Sequence, residues 1–258
     1  MLIVSLCDEK YVDYALPMVA SAKVNMPFAS VRMHIVNATN FPLLDEKFKA
    51  ANPKCQCVHE EVQFHSKLQM QCYCTNRRAA LFKKIRDEQG SSRSPMVWID
   101  ADSLIVKPAN SLLKHLSGKD ILLCKKPEVV RNRSVGYGRF RGGFVVIGNT
   151  DKSDQFVSRY DSLVGDGWRT VPDMKDGKQY SVSAKSDWPE ALRPAWAIWM
   201  KNQDALDDVF EELKGRLSIG ILGGEFCDTG LGNDSILWAA KSKLKQSEAY
   251  QKALARYS

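Results

Sequence analysis

Long hydrophobic runs are missing from this sequence of 258 residues. No stretch approaches the roughly 18 consecutive apolar residues that a membrane-spanning helix needs, so we expect no such helix. The first apolar run, residues 2–7, is short and ends at the charged residues 8–10. A secretory signal needs a basic start, a longer apolar core and a small-residue cleavage site. We therefore expect neither an integral membrane protein nor secretion driven by such a signal.

Strong compositional bias is also lacking. Glycine and proline number only 16 and 10, and 44% hydrophobic with 26% charged residues is the balance of an ordinary globular protein. The length suits one large α/β domain or two small ones. Basic residues exceed acidic ones by 37 to 30, and the net charge of +7 favours anionic partners without selecting one.

Histidine is scarce, with four residues, and cysteine is odd in number, with seven. An odd count in a chain of this size, for which we expect no secretory leader, favours reduced thiols in a cytosol-like compartment, so we expect a cytoplasmic protein. The pairs Cys55/Cys57 and Cys72/Cys74 have one intervening residue, whereas zinc knuckles usually have two. Free thiols are therefore expected rather than a zinc site.

The hydrophobic pattern predicts strands and helices that alternate along the chain. This order is typical of the α/β class, with a mostly parallel central sheet flanked by helices. We expect a single domain over residues 1–258, with a nucleotide-binding half at 1–125 and an acceptor-side half at 126–258. The polar stretch 165–194 is predicted to be a surface insertion. Strands are predicted at 2–7, 31–36, 57–64, 96–99, 121–124 and 144–147, and helices at 11–25, 43–51, 66–89, 111–116, 150–163 and 203–214, with one or two basic helices over 235–257.

Two carboxylates follow the bare apolar strand at 96–99. Asp100 and Asp102 flank the small Ala101, and on extended backbone they would point the same way. In an open α/β sheet the carboxyl ends of the strands are where ligands bind. Two such carboxylates suit a hard divalent cation that carries phosphate oxygens. A solvated turn or a helix cap is the alternative.

The stretch 97–106 resembles the D-x-D signature of the GT-A nucleotide-sugar glycosyltransferases, of family 8 or a related family. Further segments are similar to the family's, in the same order along the chain. The resemblance implies a nucleoside-diphosphate sugar, with UDP favoured, and Mn²⁺ or Mg²⁺ held by Asp100 and Asp102. It also implies a hydroxyl acceptor such as a glycan, and no nucleic acid. The similar segments are the first strand and loop at 3–11, the helix at 76–82, the glycine pair and strand at 142–147, and the acidic segment 233–238.

The resemblance assigns contacts with the sugar donor to residues in or next to the segments 3–11, 76–82, 97–106 and 142–147. It places an acid near the reacting carbon in or before the segment 233–238. Asp234 is the first choice for that acid, with Asp228 and Glu225 behind it; if the sugar configuration inverts, the acid deprotonates the acceptor hydroxyl. Capping a helix is the alternative role for Asp234. The donor contacts are Cys7, Asp8, Tyr11, Arg77, Asp100, Ala101, Asp102, Arg141, Gly142 and Gly143.

The sequence departs from the family in two places. Many relatives complete the metal site with a histidine near the C-terminal end, whereas the last histidine here is His115. Gly142 and Gly143 also replace the commoner Asn/Ser pair, so a contact to a donor hydroxyl is in question.

Three other features are candidates for binding. Arginines 131, 133, 139 and 141 lie in a glycine-rich stretch that could fold over a diphosphate. Tryptophans 168, 188, 196 and 199 could pack on a sugar, although such residues are more often core. The basic C-terminal segment suits contact with an anionic membrane surface, although a solvated helix face is the more common role.

Two other function classes stay open. A haloacid-dehalogenase-type phosphatase also places D-x-D after a strand, but its first Asp normally follows the first strand of the fold. The non-enzymatic alternative is a basic protein that binds a nucleotide or nucleic acid.

Overall fold

The computed structural model describes residues 1–126, 138–240 and 242–257. Strands and α-helices alternate from residue 2 to residue 99, as predicted, and the order is less regular after that. The strands are β1 (Leu2–Asp8), β2 (Ser30–Val36), β3 (Cys55–Glu60), β4 (Met96–Ile99), β5 (Leu104–Ile105), β6 (Ile121–Lys125), β7 (Phe140–Ile147), β8 (Ile219–Leu222) and β9 (Leu237–Trp238). The α-helices are α1 (Val12–Asn25), α2 (Phe41–Ala51), α3 (Lys67–Gln89), α4 (Ser111–Leu116), α5 (Asp151–Val164), α6 (Pro194–Leu213) and α7 (Glu248–Ala255).

A seven-stranded sheet forms the centre of the molecule, in the order β3-β2-β1-β4-β7-β6-β8. Six of its strands run in one direction, and β7 runs antiparallel between β4 and β6. The sheet takes strands from both predicted halves of the chain. The expected class, α/β with a mostly parallel sheet flanked by helices, is confirmed.

Each face of the sheet is covered by a layer of helices, because most strand residues are apolar on both faces. Alternate residues supply the two cores: Ile3 packs with α1, α2 and α4, and Val4 packs with α3, α5 and α6. A third, smaller core joins β5, β9 and α7 around Trp238 and Tyr250. Among the described helices, none combines the length and the apolarity that crossing a bilayer requires.

The sequence prediction is wrong in several places in the last third of the chain. One or two basic helices were expected over 235–257. In the described part of that range, residues 237–238 instead form β9, Ser242–Gln246 is a 3₁₀ turn, and α7 is the α-helical segment. β9 pairs with β5, and a two-residue strand has too little periodicity to be recognised. α6 begins at Pro194, nine residues before its predicted start, with proline in its first turn. β8 was missed as well.

Two of the seven cysteines are paired, so the expectation of reduced thiols is wrong for them. Cys124, in β6, forms a disulfide with Cys227, and the Cα atoms are 6.6 Å apart. The residues are separated by 103 positions, and they meet because β8 lies parallel to β6 and its following turn returns over the end of β6. Spacing along the chain could not reveal this pair. The other five cysteines are free thiols.

Candidate active site

Polar groups collect at one edge of the central sheet. The carboxyl ends of β1, β4, β6 and β8 meet there with the beginning of antiparallel β7. Asp8 closes β1, Asp100 follows β4, and the backbone N–H of Asp100 donates to the carbonyl of Gly143 at 3.2 Å. This edge is where ligands bind in open α/β sheets.

Asp100 begins a tight turn at the end of β4, and residues 101–102 are in that turn rather than on extended backbone. The N–H of Ser103 donates to the carbonyl of Asp100 at 2.9 Å, which closes a turn over residues 100–103. The expectation that extended backbone would aim both carboxylates in one direction is therefore wrong. Asp100 accepts a hydrogen bond from Trp98 Nε1 at 2.9 Å and pairs with Arg78 at 3.5 Å. Ala101 is buried in the core, so its side chain is not available to a ligand.

Asp102 turns to a different partner, the ammonium group of Lys245. The two side chains are 13% and 15% exposed, respectively. The backbone of the same residue is also held, because the hydroxyl of Tyr250 in α7 donates to the Asp102 carbonyl at 2.8 Å. Sequence reasoning treated the basic C-terminal segment as a surface feature and missed this contact.

The loop after β1 presents Asp8 and Tyr11 but not Cys7. The Cys7 side chain is buried against Met33, and burial raises the pKa of its thiol, so only its backbone could reach a ligand. The Asp8 carboxylate accepts from the N–H of Tyr11 at 3.1 Å and caps the 3₁₀ turn Glu9–Tyr11. Burial raises the pKa of Asp8 as well. The ring of Tyr11 is 42% exposed and lies 5.1 Å from Lys245 Nζ.

On α3, the structure places Arg78 at the site rather than the predicted Arg77. Arg77 Nε pairs with Glu60 at 3.3 Å, toward the β3 side of the sheet. Arg78 is 4% exposed, and besides Asp100 it contacts the Trp98 ring. Arg77 and Arg78 are adjacent in the sequence, which gives no reason to choose between them. Only their contacts, set by the rotation of α3 on the sheet, distinguish them.

The glycine pair at the beginning of β7 allows close approach of three other segments. A methyl group added at Gly143 would lie 2.5 Å from Asp100 Oδ2. One added at Gly142 would lie 2.5 Å from Asn202 Oδ1 and 2.6 Å from Arg78 Nη1. Both of those buried polar atoms have no hydrogen-bond partner within the described residues. Buried polar atoms normally have hydrogen-bond partners, so these two atoms are candidate contacts for a polar group of a ligand.

Asn202 and its neighbour Gln203 were not among the predicted site residues, and the predicted helix began only at residue 203. They lie on α6, which is held to α3 by Asn76: its amide donates to the carbonyl of Ile198 at 2.7 Å and its Oδ1 accepts from the N–H of Asn202 at 3.1 Å. The signal for this helix was Pro194, since proline is frequent in a first helical turn.

The four arginines of the glycine-rich stretch do not form one group in the part that the structure describes. Arg131 and Arg133 lie outside the described residues. Arg139 pairs with Asp207 at 3.0 Å and with Glu211 at 2.5 Å, both on α6. Arg141 is half-buried; burial lowers the pKa of its guanidinium, and the negative charge of Asp228 opposes that shift.

The three late acids have different surroundings. Asp228 accepts hydrogen bonds from the N–H groups of Gly230 and Gly232 at 2.8 and 2.6 Å and from the hydroxyl of Ser235. Burial acts to raise its pKa, but these bonds outweigh burial and hold the pKa below its usual range. Glu225 is half-buried and its carboxylate folds back against Gly223.

Asp234 is exposed, and it precedes a strand rather than a helix, so the helix-cap interpretation is wrong. Leu104, two residues after Asp102, pairs with Trp238, while Lys107 Nζ contacts the carbonyl of Asn233. Asp102 lies next to one end of the β5–β9 pair, and Asp234 therefore lies beyond the opposite end. Asp228, which bridges to Trp238, lies at the near end.

Trp168 and Trp188 belong to the core and not to a sugar-binding surface. Trp168 stacks edge-on against Tyr73, 5.0 Å between ring centres. Trp196 and Trp199 pair with each other, 5.1 Å apart, in the first turns of α6.

The side chains present fit a divalent cation poorly. Asp100 already faces the guanidinium of Arg78, and Asp102 faces the ammonium of Lys245. Within residues 1–126, 138–240 and 242–257, no group of three His, Cys, Asp or Glu side chains converges as a metal-binding set. The Mn²⁺ or Mg²⁺ expected from the sequence stays a prediction.

The central sheet, with β7 antiparallel to its neighbours, matches the GT-A fold of solved glycosyltransferase structures. No family model and no curated protein matches the sequence. Solved structures do match it, at low identity. The galactosyltransferase LgtC, in complex with donor and acceptor sugar analogs, has a TM-score of 0.59 at 13% identity over 99% of this chain and 96% of its own. The glycosyltransferase GlyE of Streptococcus pneumoniae has a TM-score of 0.57 at 10% identity, over 99% of this chain and 59% of its own. Mouse xyloside xylosyltransferase 1 has a TM-score of 0.51 at 10% identity, over 99% of this chain and 92% of its own.

Proposed function

We propose that this protein transfers a sugar from a nucleoside-diphosphate donor, a UDP-sugar in the first instance, to a hydroxyl group of an acceptor such as a glycan. The observation that carries the proposal is the convergence of Asp8, Asp100 and the Gly142–Gly143 pair at the carboxyl edge of a GT-A sheet. Ligands of open α/β sheets lie at that edge. The sugar stays open, because the neighbours include a galactosyl- and a xylosyltransferase.

In this proposal the β1 loop holds the nucleoside. Asp8 fixes the 3₁₀ turn that presents Tyr11, whose exposed ring can stack on a base. The donor sugar lies against Gly142 and Gly143, where Arg78 and Asn202 offer one donor and one acceptor without a described partner. Asp100 orients Arg78 through their ion pair.

The reaction breaks the bond between the sugar carbon and the diphosphate, and the leaving nucleoside diphosphate keeps the bonding electrons. Cationic groups at this edge stabilise the charge that develops, which is the main electrostatic contribution to such catalysis. Arg141, held half-buried beside Asp228, is one such group. If configuration inverts, a carboxylate also removes the proton of the acceptor hydroxyl. Of the proposed acids Asp234, Asp228 and Glu225, placement favours Asp228.

A phosphatase of the haloacid-dehalogenase type needs a free aspartate as nucleophile. Asp100 instead accepts from Trp98 and pairs with Arg78, which disfavours that reaction. Contact of the basic C-terminal segment with a membrane stays a prediction; the apolar side of α7 is used in packing on Leu104 and Trp238.

The test is a thermal-shift screen of nucleoside mono- and diphosphates, each in EDTA and in Mn²⁺, followed by chromatography of sugar nucleotides incubated with the protein. A ligand that binds the folded state raises the melting temperature by mass action. We expect one diphosphate to stabilise the protein and its sugar conjugate to be cleaved slowly to free sugar without acceptor. If no nucleoside diphosphate shifts the melting temperature in either condition, the transferase proposal fails.

A further inference from the structure

The contact between Lys245 and Asp102 puts a cation of the protein where the sequence assigns a metal ion. Both side chains are largely buried, at 15% and 13% exposure, and their atoms are in direct contact. Surface ion pairs between long side chains contribute little and are easily lost. This pair is more enclosed than such surface pairs, and neighbouring groups hold both of its side chains in place.

Several contacts fix Lys245 in place. The amide of Gln251 donates to the Lys245 carbonyl at 2.7 Å, and Ser247 caps α7 directly after it. The ammonium lies 5.1 and 5.3 Å from the ring centres of Tyr11 and Tyr14, close enough for cation–π attraction.

On the other side of the pair, Asp102 is tied to the same segment, because its carbonyl accepts from the fully buried Tyr250. Lysine and aspartate are thus positioned by the third core, not by their own attraction alone.

A divalent ion at Asp102 would conflict with this arrangement. It would share one carboxylate with the ammonium of Lys245 and repel that ammonium at close range. Asp100 offers no alternative, since it faces the guanidinium of Arg78. Mg²⁺ in nucleotide sites is typically held by one or two carboxylates together with substrate phosphates. Here each of the two carboxylates already has a cationic partner.

We propose that Lys245, held by Asp102 and framed by Tyr11 and Tyr14, takes the place of a divalent cation at the leaving diphosphate. The inference rests on the transferase function proposed above and specifies how that site handles charge. An ammonium has three N–H donors; one serves Asp102, and the others are directed to phosphate oxygens. As the sugar–oxygen bond breaks, the electron pair stays on the diphosphate and the acceptor oxygen bonds to the sugar carbon. The acceptor proton passes to the carboxylate base if configuration inverts, or to an oxygen of the leaving diphosphate if it is retained. Lys245 stabilises the leaving charge without transferring a proton.

The experiment measures nucleoside-diphosphate and nucleoside-monophosphate affinity of the full chain by calorimetry, in EDTA and in Mn²⁺. Wild type is compared with Lys245→Met, Lys245→Arg and Asp102→Asn. Lys252→Met is the matched control, because Lys252 lies on α7, is exposed and pairs only with Glu248 among the described residues.

We expect wild type and Lys252→Met to bind the diphosphate equally well in EDTA and in Mn²⁺. Lys245→Met should lose about 10- to 100-fold in EDTA, the usual effect of removing a charge-assisted contact. It should lose far less for the monophosphate, and Mn²⁺ should restore part of the affinity because Asp102 becomes free. Lys245→Arg should retain most binding, and Asp102→Asn should still bind in EDTA.

Two results overturn the inference while leaving the transferase function standing. One is a wild-type affinity for the diphosphate that appears only with Mn²⁺ and disappears in Asp102→Asn. The other is unchanged diphosphate affinity in Lys245→Met. If Lys245→Met does not fold, the comparison of wild type in EDTA and in Mn²⁺ decides. Absence of any nucleoside-diphosphate binding refutes the proposed function itself.

Discussion

Glu60, at the end of β3, is a buried carboxylate with three partners. His34 Nδ1 lies 2.8 Å from one oxygen, while the Tyr73 hydroxyl and Arg77 Nε contact the other. Burial alone would raise the pKa of Glu60, but the hydrogen bonds from His34 and Tyr73 and the charge of Arg77 outweigh it and hold the pKa at about 2. This cluster joins β2, β3 and α3 beside the site.

The Glu60 cluster predicts a specific acid dependence of stability. Because the folded pKa is below the usual 4.5, the carboxylate stabilises the fold fully above pH 4.5, and that contribution is lost as pH falls toward about 2. We expect the free energy of unfolding of Glu60→Gln to lie below that of wild type at pH 6, with the difference shrinking between pH 4.5 and 2. Urea denaturation at a series of pH values measures this. Glu61→Gln, at the exposed next residue, is the control, and a difference independent of pH would contradict the assignment.

Asp228 and Asp234 carry the same group in one loop and differ in their contacts. Asp228 accepts three hydrogen bonds from that loop, while Asp234 is exposed beyond β9. We expect Asp228→Asn to lower both the melting temperature and turnover, since hydrogen bonds to a charged group contribute about 1.5–3 kcal/mol each. Asp234→Asn should keep both near wild type. A loss of about 10²-fold in turnover for Asp234→Asn at an unchanged melting temperature would return the acid role to Asp234.

At the scale of elements, β7 brings the sides of the site together. Its first residues touch β4 through Asp100, α3 through Arg78 and α6 through Asn202. All three approaches depend on the absence of a side chain at Gly142 and Gly143. The departure from the Asn/Ser pair of the resembling family is therefore explained by packing: polar groups from neighbouring elements fill that space.

Gly142→Ala is expected to weaken donor binding more than it weakens the fold. Its methyl group would require Arg78 or Asn202 to shift, and Arg78 would then move relative to Asp100. We expect a loss of nucleotide-sugar affinity of about tenfold or more, because buried polar partners are displaced. Titration calorimetry and a melting curve separate the two effects. Gly215→Ala has open space around it and serves as the control; equal affinity in both variants would show that the glycine is not part of the donor site.

The elements that sequence reasoning located best are those with a strong local signal. β4 is four buried apolar residues and α3 has a serine cap and a terminal glycine, so their bounds were predicted to within a residue. β5 and β9 are two residues each and exist only because they pair with each other. Asp100 and Asp102 were found from their place after a strand. Arg78 and Lys245 were not, because what selects them is a contact across 22 and 143 positions.

For the whole molecule, the disulfide Cys124–Cys227 connects the sheet to the segment that carries Asp228. It closes a loop of about a hundred residues, and native disulfides typically contribute about 2–4 kcal/mol to stability. The pair also weakens the argument for a cytosol-like compartment, which was based on seven reduced thiols.

Reduction is therefore expected to lower the melting temperature of the wild-type protein. The double variant Cys124→Ser/Cys227→Ser should melt at a correspondingly lower temperature and show no further change with reductant. Scanning calorimetry with and without dithiothreitol measures both, and mass spectrometry after alkylation counts the five free thiols. A wild-type melting temperature that does not respond to full reduction would contradict this role.

The position of β7 between β4 and β6 has a consequence for incomplete chains. A fragment ending before β7 contains both of its neighbours, Met96–Ile99 and Ile121–Lys125, whose facing backbone groups then have no strand between them. These two edges are apolar on both faces, and such unpaired edges recruit strands from other molecules. Such a fragment also lacks β8, so β6 has no partner strand at all and β4 has one open edge. We therefore expect a chain that ends before β7 to self-associate through these strand edges.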